Sequence, residues 1–313
     1  MKEKINVTEV TLPNIHEYTK ILKMSWDKRW ISNNGDLHSK LEQNLCSYLG
    51  VKYLTLVNNA TLGLIIAQRA LGFKGEIITT PYSFIATSNV LKWDNLEPVF
   101  IDVDSMSGNL NPTNIENAIT ERTGGIMAVH NYGIPYLVEE VESLSKKYNL
   151  PLIYDSAPAF GVTYNDKSIL EFGDLSVLSF HATKVFTTFE GGAIISKTKE
   201  MKTKLERMKN FSIVDEEQIS GNGINAKMNE AEAAMGLLQL KYIDQNIQNR
   251  KYIFEKYLNV FKNNQNVSTL KIASNVQYNA AYFPIFFKEG IQLRDKIYKA
   301  MRMNNIFCRK YWY

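Results

Sequence analysis

The sequence is short of several things, and each shortage excludes something. It has only two cysteines, Cys46 and Cys308, far apart and outside any CxxC spacing. That excludes a cysteine-built metal site and points to a reducing compartment. No apolar run approaches the roughly 20 residues that a membrane-spanning helix requires. The opening residues, MKEKINVTEV, lack the apolar centre of a signal peptide. A cytoplasmic protein is expected, with no membrane partner. Charge of one sign is scarce as well, since 36 Lys and Arg face 32 Asp and Glu for a formal net charge of +4. That balance is too mild and too evenly spread for a nucleic-acid surface, though it suits an anionic small molecule. No repeat or low-complexity tract occurs. What is present is a 45% hydrophobic chain of 313 residues, enough for one large domain and a smaller one.

Between residues 50 and 200 short apolar runs alternate with amphipathic stretches. The pattern predicts strands over 52–57, 76–79, 99–103, 125–129, 151–154, 175–180 and 193–195. Helices are predicted over 41–49, 62–71, 113–119 and 137–148, after an early one at 15–26. Such alternation indicates α/β layers around a mostly parallel sheet. Beyond residue 200 longer helices take over, at 199–209, 230–243, 250–261 and 291–303, with a strand at 281–287. The expected organisation is a large domain over 1–210, residues 1–40 being its N-terminal arm, and a smaller α/β domain over 211–313.

In sheets of this kind ligands bind beyond the carboxyl ends of the strands. There Asn58-Asn59-Ala60-Thr61 precedes a long apolar helix, either as an ordinary N-cap or as a phosphate site at a helix start. Tyr82-Ser83-Phe84 follows the second strand, Asp155 ends the fifth, and Ser179-Phe180-His181-Ala182-Thr183-Lys184 ends the sixth. Lys184, at a strand end in a partly apolar setting, can lose its proton readily enough to act as an amine nucleophile. A phosphate-ready helix start, an aromatic, a carboxylate, a serine and a lysine are the set that pyridoxal phosphate requires.

These motifs resemble the DegT/StrS-type sugar aminotransferases, which have the aspartate aminotransferase fold (fold type I: a large domain with a mixed, mostly parallel seven-stranded sheet and a smaller C-terminal α/β domain). The resemblance runs from about Trp30 to Tyr313, through Thr80-Pro81-Tyr82-Ser83-Phe84, Val129-His130-Asn131-Tyr132-Gly133, Tyr154-Asp155-Ser156-Ala157 and Glu190-Gly191-Gly192. It implies that Lys184 carries pyridoxal 5'-phosphate as a Schiff base and shuttles the proton. It further implies that Asp155 pairs with the ring nitrogen, that Phe84 stacks on the ring, and that Ala60, Thr61 and Ser179, beside Asn59, hold the phosphate. Asn225, in Gly223-Ile224-Asn225-Ala226-Lys227-Met228, matches the residue that reaches the neighbouring subunit's phosphate, so a homodimer is implied. His130 and His181 read as structural, with His181 a candidate pocket lining.

Two departures stand out. Pro158 occupies the position where the family has Gln or His, and proline offers neither a side-chain donor nor an N–H. The sequence given ends at Arg309-Lys310-Tyr311-Trp312-Tyr313, where relatives continue, so a shortened small domain is expected. The implied reaction moves the amino group of glutamate onto a nucleotide-linked ketosugar. The wording of the motifs resembles most the branch that makes dTDP-4-amino-4,6-dideoxyglucose for surface polysaccharide. A 3-keto or UDP-linked sugar, or a cofactor-binding homologue without turnover, are the alternatives.

Overall fold

The computed structural model describes residues 3–311. Seven strands form the central sheet: β1 (Tyr53–Val57), β2 (Glu76–Thr79), β3 (Glu97–Phe100), β4 (Thr123–Val129), β5 (Leu152–Asp155), β6 (Leu175–Ser179) and β7 (Gly192–Ser196). Their order across the sheet is β1-β7-β6-β5-β4-β2-β3. Only β7 runs antiparallel to its neighbours within this sheet; the other pairings are parallel. Both faces of the sheet's centre are covered. All residues of β5, β6 and β7 are buried, which is why they read as continuous apolar runs instead of alternating ones.

The helices are α1 (Ile15–Lys28), α2 (Asp36–Leu49), α3 (Ala60–Leu71), α4 (Ala86–Trp93), α5 (Pro112–Asn117), α6 (Val138–Lys147), α7 (Lys199–Met208), α8 (Glu230–Phe261) and α9 (Ile291–Met303). Asn59 caps α3, its side chain accepting the Leu62 N–H, while Asn229 and Glu232 close a reciprocal capping box on α8. α8 packs against α1 and α2. Their junction is fixed by Glu230, whose buried carboxylate accepts from Ser25 Oγ at 2.7 Å and from the N–H groups of Leu37 and His38, both at 2.9 Å. Gly35 leaves room for that carboxylate, because a Cβ there would lie 2.6 Å from the Glu230 Cδ.

Several expectations are corrected. The helices expected at 230–243 and 250–261 are one continuous helix of 32 residues. The intervening Asp244-Gln245-Asn246-Ile247-Gln248-Asn249 is polar, but it holds no Gly or Pro and Ile247 still packs on the core. The strand expected at 99–103 is shifted to Glu97–Phe100, and Val103 makes only an isolated bridge to Leu110. The strand expected at 281–287 shrinks to Ile285–Phe287. α2 begins at Asp36, where the Glu230 carboxylate serves its first N–H groups, and not at residue 41. α4 was not expected from the sequence. Trp312 and Tyr313, at the end of the motif discussed above, lie outside the described residues.

Candidate active site

The ends of β1, β5 and β6 converge on one cavity of about 360 Å³. Asn59, Ala60, Thr61, Phe84, Asp155, Ser179 and Lys184 all line it. Asn225 does not; it is exposed, in the loop that returns from α7 to α8 and bridges to Asn210. Pro158, Asn131, Tyr132, His181, Thr183, Glu190, Tyr282, Arg309 and Tyr311 complete much of the wall.

One end of the cavity is made by the start of α3. The N–H groups of a helix's first turn have no partner inside the helix and lie at its positive end. The Asn59 side chain engages that of Leu62, which leaves the cavity-lining Ala60 and Thr61 N–H groups as donors for an anion. The backbone can come this close because β7 begins with glycine. Gly192 pairs with Val57 on one side and Ser179 on the other, and a Cβ on it would lie 3.0 Å from the Ala60 nitrogen and 2.7 Å from the Leu178 carbonyl oxygen. Ser179 is thereby set next to the α3 start, across a single glycine.

Asp155 lies at the carboxyl end of β5, 5% exposed. Its Oδ2 accepts from Thr87 Oγ1 at 2.7 Å and its Oδ1 from the Ala157 N–H at 3.1 Å. Burial pushes its pKa above the ordinary aspartate value, while Thr87, the Ala157 N–H and the charge of Lys184 oppose that shift. A cationic partner placed in the cavity would favour the charged form. Thr87, fully buried at the start of α4, escaped the sequence reading because the helix carrying it did.

Part of the cavity wall is aromatic. Tyr132 adopts a left-handed backbone, φ 56° and ψ 8°, uncommon for a residue with a side chain. It is held by the Tyr278 hydroxyl, which donates to its carbonyl at 2.9 Å, and by a 2.7 Å hydroxyl contact with Tyr82. Asn279, 1% exposed, donates to the carbonyl oxygens of Pro158 and Phe160, both at 2.9 Å. The Pro158 turn is therefore pinned from the C-terminal part of the chain. Phe84 is 65% exposed on the cavity rim.

The donor set fits pyridoxal phosphate on its own geometry. An amine, a buried carboxylate, the open start of a helix and a serine line one cavity of suitable volume. Among the described residues no group of three or more His, Cys, Asp or Glu is placed to hold a metal ion, and no helix is long and apolar enough to cross a membrane.

Fold and site together define a pyridoxal-phosphate-dependent transaminase of the sugar aminotransferase type. Residues 14–313 match the model of the DegT/DnrJ/EryC1/StrS aminotransferase family, and the chain belongs to that family. It is 46% identical over 314 aligned residues to a dTDP-4-amino-4,6-dideoxy-D-glucose transaminase of Shigella dysenteriae, covering 100% of this chain and 86% of that protein. A protein of the same description from Escherichia coli is 42% identical, with 99% and 84% covered. Among solved structures, DesI in the presence of its TDP-sugar product superposes with a TM-score of 0.94 at 28% identity, over 100% of this chain and 80% of that one. PseC of Helicobacter pylori, an aminotransferase involved in the biosynthesis of pseudoaminic acid, gives 0.92 at 29% identity, over 99% and 85%.

Proposed function

We propose that this enzyme transfers the amino group of glutamate to C4 of dTDP-4-keto-6-deoxyglucose, giving dTDP-4-amino-4,6-dideoxyglucose for surface polysaccharide. The observation that carries the choice of substrate is the 46% identity to the Shigella dysenteriae transaminase across the whole of this chain.

In this reading Lys184 binds the cofactor through Nζ. Asn59, Ala60, Thr61 and Ser179 hold its phosphate, Phe84 covers its ring, and Asp155 stays charged against the ring nitrogen. Bound there, pyridoxal phosphate supplies an electron sink for the carbon that loses a proton. Lys184 Nζ would take the proton from the Cα of glutamate and hold it for return, the amino group staying behind while water supplies the keto oxygen of the departing 2-oxoglutarate. With the ketosugar the same lysine moves the proton in the opposite direction. Thr87 and the Ala157 N–H hold the Asp155 carboxylate in place throughout.

The active unit in this reading is a homodimer in the cytoplasm. It is supported by the apolar side chains left on the surface beside the cavity, Phe84 at 65% and Ile85 at 59% exposed. The exposed position of Asn225, outside its own chain's cavity, suits a residue that serves the other subunit.

The test is to incubate the cofactor-loaded enzyme with glutamate and a panel of dTDP- and UDP-linked 3-keto and 4-keto sugars and to identify the products. Amination of the dTDP 4-ketosugar in preference to the others is expected. Amination of a 3-keto or UDP-linked sugar instead, or of none, would replace this reading.

A further inference from the structure

Lys184 and Asp155 account for the chemistry, yet the same cavity is lined by a second titratable pair that the reaction does not use. His181 lies three residues before Lys184, and Glu190 ends the loop that leads into β7; both line the cavity. The Thr183 N–H points at His181 Nδ1 at 3.2 Å, with Thr183 Oγ1 2.8 Å from the same nitrogen. A backbone N–H can only donate, so Nδ1 is an acceptor and the ring's hydrogen is on Nε2. That Nε2 lies 3.6 Å from Glu190 Oε1, beyond a direct hydrogen bond. The two are neighbours that do not satisfy each other, one a donor and one an acceptor, and both side chains are partly open to solvent, 45% and 59% exposed.

We infer that His181 and Glu190 form the subsite for two neighbouring hydroxyl groups of the sugar, His181 Nε2–H donating to one and the Glu190 carboxylate accepting from the other. The chemistry selects this ligand among those that enter the cavity. A carboxylate of glutamate or a phosphate would meet the repulsion of Glu190. Neutral hydroxyls, each both donor and acceptor, satisfy both groups at once. The loop between β6 and β7 then carries two functions side by side, the reacting amine and the reading of the sugar. This deepens the proposed function and rests on it.

The experiment compares wild type with His181→Ala, His181→Gln and Glu190→Ala as loaded enzymes. Three quantities are measured: the single-turnover rate with glutamate alone, KM for the ketosugar nucleotide, and calorimetric binding of dTDP-glucose, which has the diol but no ketone. Unfolding temperature and the cofactor's absorbance band report intact folding and loading. For His181→Ala and Glu190→Ala, a rise of about tenfold in KM and in the dTDP-glucose Kd is expected, the size of one lost hydrogen bond, while the glutamate stage slows far less. His181→Gln, which restores an N–H donor, should recover part of the loss. An analogue of the ketosugar nucleotide lacking one of the two hydroxyls should bind the wild type more weakly but the corresponding variant equally. Equal slowing of both stages, or unchanged sugar KM and Kd, would overturn the assignment. Failure of the wild type to aminate any ketosugar, with dTDP-glucose binding still weakened in the variants, would instead remove the proposed reaction and leave the subsite standing.

Discussion

Thr87 donates to Asp155 across 2.7 Å, joining the first turn of α4 to the carboxyl end of β5 in a fully buried contact. Burial alone favours the neutral acid at Asp155, and Thr87 is one of the groups that oppose it. Replacing Thr87 by Val keeps the shape and removes the donor. The expected result is a loss of cofactor affinity of about 10-fold, the scale of a hydrogen bond to a charged group, measured by fluorescence titration of cofactor-free protein. Thr87→Ser should stay near wild type.

Lys184→Ala should abolish the glutamate-bleachable absorbance band and lower turnover by at least about 10³-fold, because the nucleophile and the proton carrier are lost together. A band that survives and still bleaches with glutamate would remove Lys184 from its assigned role.

If Asn225 serves the neighbouring subunit, defects at Lys184 and Asn225 complement each other. Mixed Lys184→Ala and Asn225→Ala dimers would contain one site with both defects and one with neither. Co-refolding the two inactive variants in equal amounts should restore about a quarter of the wild-type sites, by the statistics of a two-fold dimer. No recovery would place Asn225 in its own subunit's site, and an active Asn225→Ala variant would place it outside catalysis.

The Glu230 carboxylate at the start of α2 predicts a stability effect remote from the chemistry. Glu230→Gln leaves one of its three donors poorly matched, and Gly35→Ala forces the carboxylate aside. Each should destabilise by about 2 kcal/mol, seen in denaturant unfolding, with cofactor affinity little changed.

His130 gives a pH dependence. It is buried with Nε2 unpaired, stacked on Tyr154 at 4.3 Å, and burial lowers its pKa to about 3. Unfolded, the same ring titrates near its ordinary value of 6.5. Between those values the unfolded chain binds a proton that the folded one does not, so stability rises with pH there. The contribution is complete above pH 6.5 and is lost as pH falls toward 3. His38, lowered to about 3 by burial and Lys209, acts in the same direction. His130→Phe keeps the stacking and should flatten the decline in unfolding free energy below pH 6.5.

Much of this architecture was legible in the residues themselves. The buried strands announced themselves as apolar runs of four or five residues, and their carboxyl ends delivered Asp155, Ser179 and Lys184 to one place. What escaped did so for physical reasons. Thr87 is separated from Asp155 by 68 positions, and nothing in its neighbours signals a contact that only the sheet order creates. The junction in α8 looked like a break because its residues are polar, yet polarity there reflects an outward face and not a lost helix. The partners of Glu230 come from two other helices, so no pattern along its own helix marks them. The pairing of His181 with Glu190 depends on the return of β7 alongside β6, a tertiary fact that residue spacing does not encode.

That return has a consequence for how such an enzyme diversifies. β7 ties β1 to β6 through its two hydrogen-bonded edges, so the start of α3 and the loop that carries Lys184 are joined to one buried ladder. Other lining groups, Tyr282, Arg309 and Tyr311 among them, hang from segments outside that ladder. Substitutions there would reshape that part of the cavity wall while leaving the ladder that positions Ser179 and Lys184 undisturbed.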